Sequence, residues 1–462
     1  MSHPHNRTAG QTLEEALAQA LAAFPDARRV ALAFSGGLDS SVLLHLLHAH
    51  VAERGIALHA FHVHHGLSAN ADQWAEHCRL VCQRLNVAFA MRHVDIARDG
   101  GSGIEEAARE ARYAALGALC AEHDIGLLVT AHHIDDQAET VLLQLLRGSG
   151  IAGIAGMEAS NRAPVLLGNA ALTIARPLLD ITRADLESHA REHAIAHIED
   201  ESNRDLRYAR NALRQAVMPV LEQHFPGFAA RFARTAQHAH AAQSVLEQIA
   251  QQDLEHCLIG DALDLERVET MSDQRAENLF RYWFAVRGLR MPSTAWLSEM
   301  RYQLADARPE AQLCVTHPDC HVRRHRNRAY IVARENGRVL SDPLDFIWNG
   351  EAILHFPAFR GSLSFEPAAQ GIAVDWLRGR SCTMHYRQGG ERLRLAADRP
   401  TRSLKQHCQT LDVPAWERET MPLVSVAGKL LYAAGLGMDC AHFGKPGEAC
   451  VALRWRWDCD SV

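Results

Sequence analysis

The first half of the chain alternates short apolar runs with longer stretches of helical spacing. Residues 29–34 (RVALAF) form an apolar run that ends in Ser-Gly-Gly, which predicts a buried strand entering a tight turn. Residues 41–50 follow with helical apolar spacing, residues 57–64 alternate like a strand, and residues 72–85 return to helical spacing. Residues 88–94 predict another strand, residues 104–120 an Ala-rich helix, and residues 125–130 (IGLLVT) a further buried strand. Residues 135–146 open with acids and become apolar, as suits a helix N-terminus. Strands separated by helices predict an α/β fold, a parallel twisted sheet with helices on both faces. Such sheets bind ligands beyond the carboxyl ends of their strands. Two polar clusters, residues 35–40 and 131–139, directly follow predicted strands, so they are the expected site.

A Gly-rich loop at 147–157 ends this run, residues 182–221 read as mostly helical, and residues 228–258 predict one long helix. These changes of pattern predict three domains. Residues 1–216 are the catalytic domain, 217–340 a mostly helical to mixed middle domain, and 341–462 a small α/β or β-rich C-terminal domain.

Composition narrows the class. A chain of 462 residues suggests about three domains. With 47% hydrophobic and 22% charged residues it has the balance of a soluble globular protein. No apolar run approaches the roughly 20 residues needed to span a bilayer. The N-terminus lacks the apolar core of a secretory signal, so a cytoplasmic protein without membrane contact is expected. The net charge of -7 argues against a uniformly basic nucleic-acid binder but leaves room for local basic patches. The 11 cysteines are scattered without a C-x-x-C pair, which fits reduced thiols rather than disulfides or structural zinc.

The sequence Ser35-Gly36-Gly37-Leu38-Asp39-Ser40 lies between a predicted strand and a predicted helix. Glycine permits close backbone approach and positive φ, and successive N–H groups there can cradle phosphate oxygens. The helix that follows adds unpaired N–H groups and a positive dipole end. Ser35 and Ser40 can donate hydroxyl hydrogen bonds. Asp39 would be repelled by phosphate unless a cation intervened, so it is assigned to Mg2+. The loop lacks the lysine of a Walker sequence. It resembles the S-G-G-x-D-S pyrophosphate loop of the N-type ATP pyrophosphatases, the PP-loop superfamily. That resemblance implies cleavage of ATP between its α- and β-phosphates and transfer of AMP to a substrate oxygen.

Further motifs select within that superfamily. AHHIDDQAET at 131–140 resembles the A-H-H-x-D-D-Q-x-E-T signature of the tRNA(Ile)-lysidine synthetases. AREARY at 108–113, RGSG at 147–150, RPLL at 176–179 and DESNRDLRYARNALR at 200–214 are similar to that family in the same order. The stretch from Arg387 through Lys405 to residue 437 looks like its distal domain. The resemblance covers nearly the whole chain and is most specific over 30–215. The chain departs from it at Leu404-Lys405, where paired lysines are common, and at His64, where an acid is common.

The resemblance implies a ligase that forms a carbon–nitrogen bond. ATP adenylates the wobble cytidine of the CAU-anticodon isoleucine tRNA, and the amine of free L-lysine expels AMP to give lysidine. The codon read changes from AUG to AUA. A lysine ammonium must be held as a cation and then deprotonated, and its ordinary pKa is about 10.4. Asp136 and Glu139 share a helical face with Asp135 and are the expected lysine-binding acids. The catalytic set is Asp39, Arg112, His133, Asp136 and Glu139. Arg112 would offset charge as AMP leaves or hold an RNA phosphate. Arg207, Arg210, Asn211 and Arg214 follow helical spacing as one polar stripe; Arg207 is assigned to lysine and Arg214 to tRNA. Arg387, Arg392, Arg394, Arg402 and Lys405 are the distal tRNA contacts, and the basic run HVRRHRNR at 321–328 is a second candidate. A homodimer is one expectation for assembly. Two other readings stand beside this one: a PP-loop tRNA thiolase, and a nucleotide-dependent RNA-binding protein without catalysis.

Overall fold

In the computed structural model, residues 12–458 are described apart from 53, 67, 69, 96–103, 200–206, 208, 309–310 and 335–340. The chain divides into two compact units that meet between Ile249 and Ala250. In the first, the alternating pattern folds as α1 (Leu13–Leu21), β1 (Arg29–Ala33), α2 (Leu38–Ala52), β2 (Ala57–His64), α3 (Ala71–Arg84), β3 (Ala88–His93) and α4 (Ile104–Glu122). It continues as β4 (Leu127–Val129), α5 (Ile134–Leu146), α6 (Ile151–Ile154), β5 (Ser160–Arg162), α7 (Pro164–Leu167), β6 (Thr173–Ala175) and α8 (Arg183–Glu192). The elements expected between residues 29 and 146 are present, with ends shifted by a few residues. The short strands β5 and β6 were not expected; at three residues each they carry no readable periodicity.

The sheet order is β3-β2-β1-β4-β6-β5. All neighbours are parallel except β5, which is antiparallel to β6. Alternation along each strand fills two cores. Val30, Leu32, Leu127 and Val129 pack with the leucines of α1 and α2 and with Cys78 and Leu186 of α3 and α8. Ala31 and Leu128 point the other way, to Tyr113, Leu116 and Leu119 of α4 and Leu167 of α7. At Gly117, an added Cβ would stand 1.9 Å from the Leu167 carbonyl oxygen, so only glycine lets α4 lie this close to α7. From β1 the sheet grows outward to β2 and β3, then reverses to β4 on the other side of β1. That reversal opens a crevice at the carboxyl ends of β1 and β4, where a ligand of such a sheet sits.

After α8 the chain forms α9 (Ala209–Ala212), a π-helical turn (Leu213–Val217), α10 (Met218–His224) and the long α11 (Phe228–Cys257). The second unit holds two further cores. Between residues 258 and 333, three helices pack on a five-stranded antiparallel sheet around Trp283, Phe280 and Phe284. This segment mixes helix and strand, while the helices Met218–His224 and Phe228–Cys257 precede it within the expected middle region. Its strands are two to six residues long, too short to show against neighbouring helices. From 344 to 457, five-, four- and two-stranded antiparallel sheets enclose Phe359, Leu363, Met384, Leu423 and Leu431, as the β-rich expectation required. Among the described residues no helix is long and apolar enough to cross a membrane.

Candidate active site

The loop after β1 is held by its own backbone. Gly36 has φ +82°, a conformation glycine favours, and a Cβ there would stand 2.8 Å from Cys78 Sγ. The Gly36 carbonyl accepts from the Ile198 N–H at 2.9 Å and from the Ser41 hydroxyl at 3.2 Å. Ser40 donates its hydroxyl to the Gly37 carbonyl at 3.1 Å and lies 3.1 Å from the Ser35 hydroxyl. A Cβ at Gly37 would meet nothing nearer than Ser35 Oγ at 3.6 Å, so the protein's own packing does not demand glycine there. Its value is the bare backbone it offers the cavity. Leu38 opens α2, and with Ser35, Gly37, Asp39 and Ser40 it lines a cavity of about 1950 Å³.

The loop after β4 brings acids to the same crevice. His133 is the N-cap of α5, in an extended conformation, and its N–H donates to Asp136 Oδ2 at 3.1 Å. Its ring is buried among three carboxylates: Asp135 Oδ2 at 3.4 Å, Asp136 Oδ2 at 3.4 Å and Asp39 Oδ2 at 3.7 Å. These separations are long for hydrogen bonds, and the ring is held by weak hydrogen bonding to Asp135 and Asp39 together with the charge of the acids. Burial alone would lower the imidazole pKa, yet the acids outweigh it and push His133 up to about 10. Burial raises Asp39, but His133, Arg183 and Arg214 outweigh it and hold that carboxyl below its usual range. Asp39 Oδ1 is buried without a hydrogen-bond partner.

Glu139 is almost fully buried and takes Arg214 in a bidentate pair, Nε at 2.6 Å and Nη2 at 3.1 Å. Arg214 Nη2 also reaches Asp136 Oδ1 at 3.0 Å. Burial first, and then the charge of Asp136, raise the Glu139 carboxyl despite this guanidinium. Asp136 and Arg214 line the cavity, with Glu139 and His133 behind them. Gln137 of the same motif faces away and clamps the Gly-rich loop, exchanging hydrogen bonds with the Met157 backbone at 2.9 and 2.8 Å.

Across the crevice the charge reverses. Arg109 and Arg112 stack on the buried Tyr113 ring, at 5.1 and 5.4 Å from its centroid. Arg176 donates to the Glu158 carbonyl and to Asn161 Oδ1, both at 2.8 Å. Burial first, then these guanidiniums with Arg210, push His132 well below its ordinary value, so it is a neutral ring held by Thr130 at 2.9 Å. The same cause, burial and then Arg112, lowers His65 to about 4.

The structure thus gathers Ser35 through Ser40, Arg112, His133, Asp136, Glu139 and Arg214 into one crevice. One contact was not foreseen and one expectation changes. Arg214, expected on tRNA, also pairs with the two acids expected on lysine. Arg207 sits in an exposed turn ahead of α9, so the polar stripe is not one continuous α-helix. The π-helical turn then sets Arg214 off α-helical register and aims it at Glu139. Sequence reading missed Arg183, whose Nη1 lies 3.8 Å from Asp39 Oδ2. The N-cap pattern Thr182-x-x-Asp185 marks a helix start there, the one local signal that could have drawn notice.

In the second unit, Arg392, Arg402 and Lys405 are exposed, while Arg387 and Arg394 are half-buried. Arg394 folds onto its own loop, donating to the Arg399 and Ala397 carbonyls. Arg392 donates to the Thr401 carbonyl at 3.1 Å, and Arg387 faces Glu391 at 3.9 Å. The run at 321–328 is largely spent inside the unit. Arg324 is buried and donates to the Arg326 and Leu304 carbonyls and to Asn327. His325 and Arg326 both hold Asp412 Oδ1 at 2.8 Å, and Arg323 lies over the Trp416 ring.

Residues 8–221 match the PP-loop domain family. That match and the cradle at a sheet's switch point define the class of the first unit, an ATP-using PP-loop domain. Residues 263–330 match the TilS substrate binding domain and 382–455 the TilS substrate C-terminal domain. The chain is 42% identical to the tRNA(Ile)-lysidine synthase of Burkholderia pseudomallei strain K96243, with 99% of each chain covered. It is 42% identical to that of Ralstonia nicotianae, with 89% of each covered. A solved U34-tRNA thiolase, NcsA from Methanococcus maripaludis, aligns at 16% identity with TM-score 0.41, over 49% of this chain and 76% of its own. The chain belongs to the tRNA(Ile)-lysidine synthase family.

Proposed function

We propose that the chain works in the cytoplasm as a ligase that joins free lysine to carbon 2 of the wobble cytidine in the CAU-anticodon isoleucine tRNA. ATP adenylates the cytidine 2-oxo oxygen, and the lysine side-chain amine then displaces AMP. The observation that carries this reading is the union, in one crevice, of a phosphate cradle with a cluster of acids suited to an ammonium.

The backbone of Ser35–Ser40 holds the phosphates, with the Ser35 hydroxyl and the start of α2 as further donors. The buried, unpartnered Oδ1 of Asp39 fits a hard divalent cation, and Asp39 would hold Mg2+ there. Bound there, the cation would neutralise phosphate charge.

Asp136 is the acid that meets the lysine ammonium. Glu139 and His133 act through it: Glu139 fixes Arg214 against Asp136, and His133 offsets the repulsion among Asp39, Asp135 and Asp136. Arg207 is the candidate for the lysine carboxylate. Arg112, with Arg109 beside it, counters charge on the departing AMP. Exposed Arg392, Arg402 and Lys405, with Arg387, supply tRNA phosphate contacts. The functional division we propose is residues 1–216 for chemistry, with 217–340 and 341–462 holding tRNA. The separate cores of the last two segments support it. A thiolase would need a reactive sulfur. Cys78, Cys82 and Cys120 of the first unit are buried, and burial pushes each thiol up to about 12.

The test is to incubate the protein with ATP, radiolabelled lysine and unmodified CAU isoleucine tRNA. Label should enter the RNA, and should not enter a methionine tRNA with the same anticodon. Absence of label from the isoleucine tRNA, in a preparation that binds both ATP and tRNA, would sink the reading.

A further inference from the structure

We propose that Arg183 is a catalytic residue of the adenylation step, gripping the β- and γ-phosphates of ATP and then the departing pyrophosphate. This rests on the ATP-adenylation reading and extends it to a residue outside the recognised motifs. Arg183 is the first residue of α8, and its side chain lines the cavity beside Asp39 of the phosphate loop.

The backbone at this point is fixed from several sides. The Arg183 N–H donates to Asp135 Oδ2 at 2.9 Å, and the Ile134 N–H donates to the Ile181 carbonyl at 2.9 Å. Thr182 and Asp185 cap the helix reciprocally, at 3.1 and 3.2 Å. The side chain is held far more loosely. It is 41% exposed, and its Nε reaches Glu187 at 3.2 Å on the same helix. Its Nη1 stands 3.8 Å from Asp39 Oδ2, beyond hydrogen-bond reach.

Four guanidiniums in or beside the crevice have closer partners. Arg214 is gripped by Glu139 and Asp136, Arg176 by Glu158 and Asn161, and Arg109 and Arg112 rest on Tyr113. Arg183 therefore has a fixed backbone, a half-exposed fork tied by its Nε to Glu187, and an Nη1 whose charge partner, Asp39, lies beyond hydrogen-bond reach. That partner is an acid on the very loop that holds phosphate. A nucleotide seated on Ser35–Ser40 brings its outer phosphates within the sweep of this guanidinium. The planar fork suits two phosphate oxygens at once.

The chemistry gives the charge a purpose. The bond from the cytidine 2-oxo oxygen to the α-phosphorus forms as the bond from the α-phosphorus to the α,β-bridging oxygen breaks. The electron pair stays on that oxygen, so negative charge builds on pyrophosphate. A guanidinium there stabilises the product side of the step. No proton or redox partner is needed.

The test compares Arg183→Ala, Arg183→Gln and Arg183→Lys with the unaltered protein. The Arg183–Asp135 bond is a backbone one, so all three variants keep it; Gln also retains a polar side chain should Ala fail to fold. Three probes are used: an α,β-methylene analogue of ATP, inorganic pyrophosphate and AMP. Loss of a charge-assisted contact predicts that the analogue and pyrophosphate bind about 10- to 100-fold more weakly to the Ala and Gln variants. Arg183→Lys should restore part of the loss, and AMP, which lacks the outer phosphates, should bind unchanged to all three variants. Parallel loss of AMP binding would make Arg183 structural, and unchanged pyrophosphate binding would remove it from the site; either result overturns the inference. If the unaltered protein bound none of the probes, the adenylation reading itself would fall, and this inference with it.

Discussion

Residues 321–328 and residues 387–405 are both basic stretches in the second unit, and on sequence either suits RNA phosphate. Folded, they differ. In the first, Arg324 is buried against backbone carbonyls, and His325 and Arg326 are drawn onto Asp412. In the second, Arg392, Arg402 and Lys405 remain exposed. A run of positive charge becomes a phosphate surface only where the fold has not already consumed it. The crevice repeats the contrast at shorter range. Glu139 has both oxygens on Arg214, whereas Asp39 keeps one oxygen without a partner. Consumed charges should govern stability, and spare charges should govern function.

The largest expected effect is at a spare charge. Asp39→Asn should slow adenylation by about 1000-fold while leaving thermal stability and tRNA affinity close to normal. A parallel loss of stability would place Asp39 among the consumed charges. Next comes Glu139→Gln, which strands part of the Arg214 charge and should cost about 2–3 kcal/mol in urea unfolding, discounted because Arg214 is partly solvated and keeps Asp136. Arg324→Ala leaves three acceptors unpaired and should cost about 2 kcal/mol, with tRNA affinity of the folded protein unchanged. Replacing Arg392, Arg402 and Lys405 together by Ala should do the reverse. tRNA binding should weaken about tenfold with a shallower salt dependence, and stability should move by less than about 0.5 kcal/mol. If Arg324→Ala weakens tRNA binding as much as this triple change does, the contrast between the two stretches fails.

Much of the first unit was legible because its signals are local. A strand, a Ser-Gly-Gly turn and a helix lie within 25 residues, and both polar clusters fall at strand ends as expected. What was not legible depends on contacts distant in sequence. Asp412 meets His325 across 87 positions, and Arg214 meets Glu139 across 75. Periodicity reports which face of an element is apolar and says nothing of which acid will stand opposite an arginine. The π-helical turn that aims Arg214, and the strands of two to six residues in the 258–333 segment, are also below what periodicity resolves. Arg183 escaped for a related reason. A single arginine at a helix start is ordinary until the fold sets it against Asp39.

The central claim, that the phosphate loop drives adenylation of tRNA ahead of attack by lysine, is tested most directly by following the α-phosphate. The protein is mixed with isoleucine tRNA and ATP labelled at the α-phosphorus, first without lysine and then with it. The account predicts that label enters the tRNA in the first stage and leaves as AMP in the second, and that Asp39→Asn shows neither. Label that never enters the RNA, or that is released at the same rate without lysine, would contradict it.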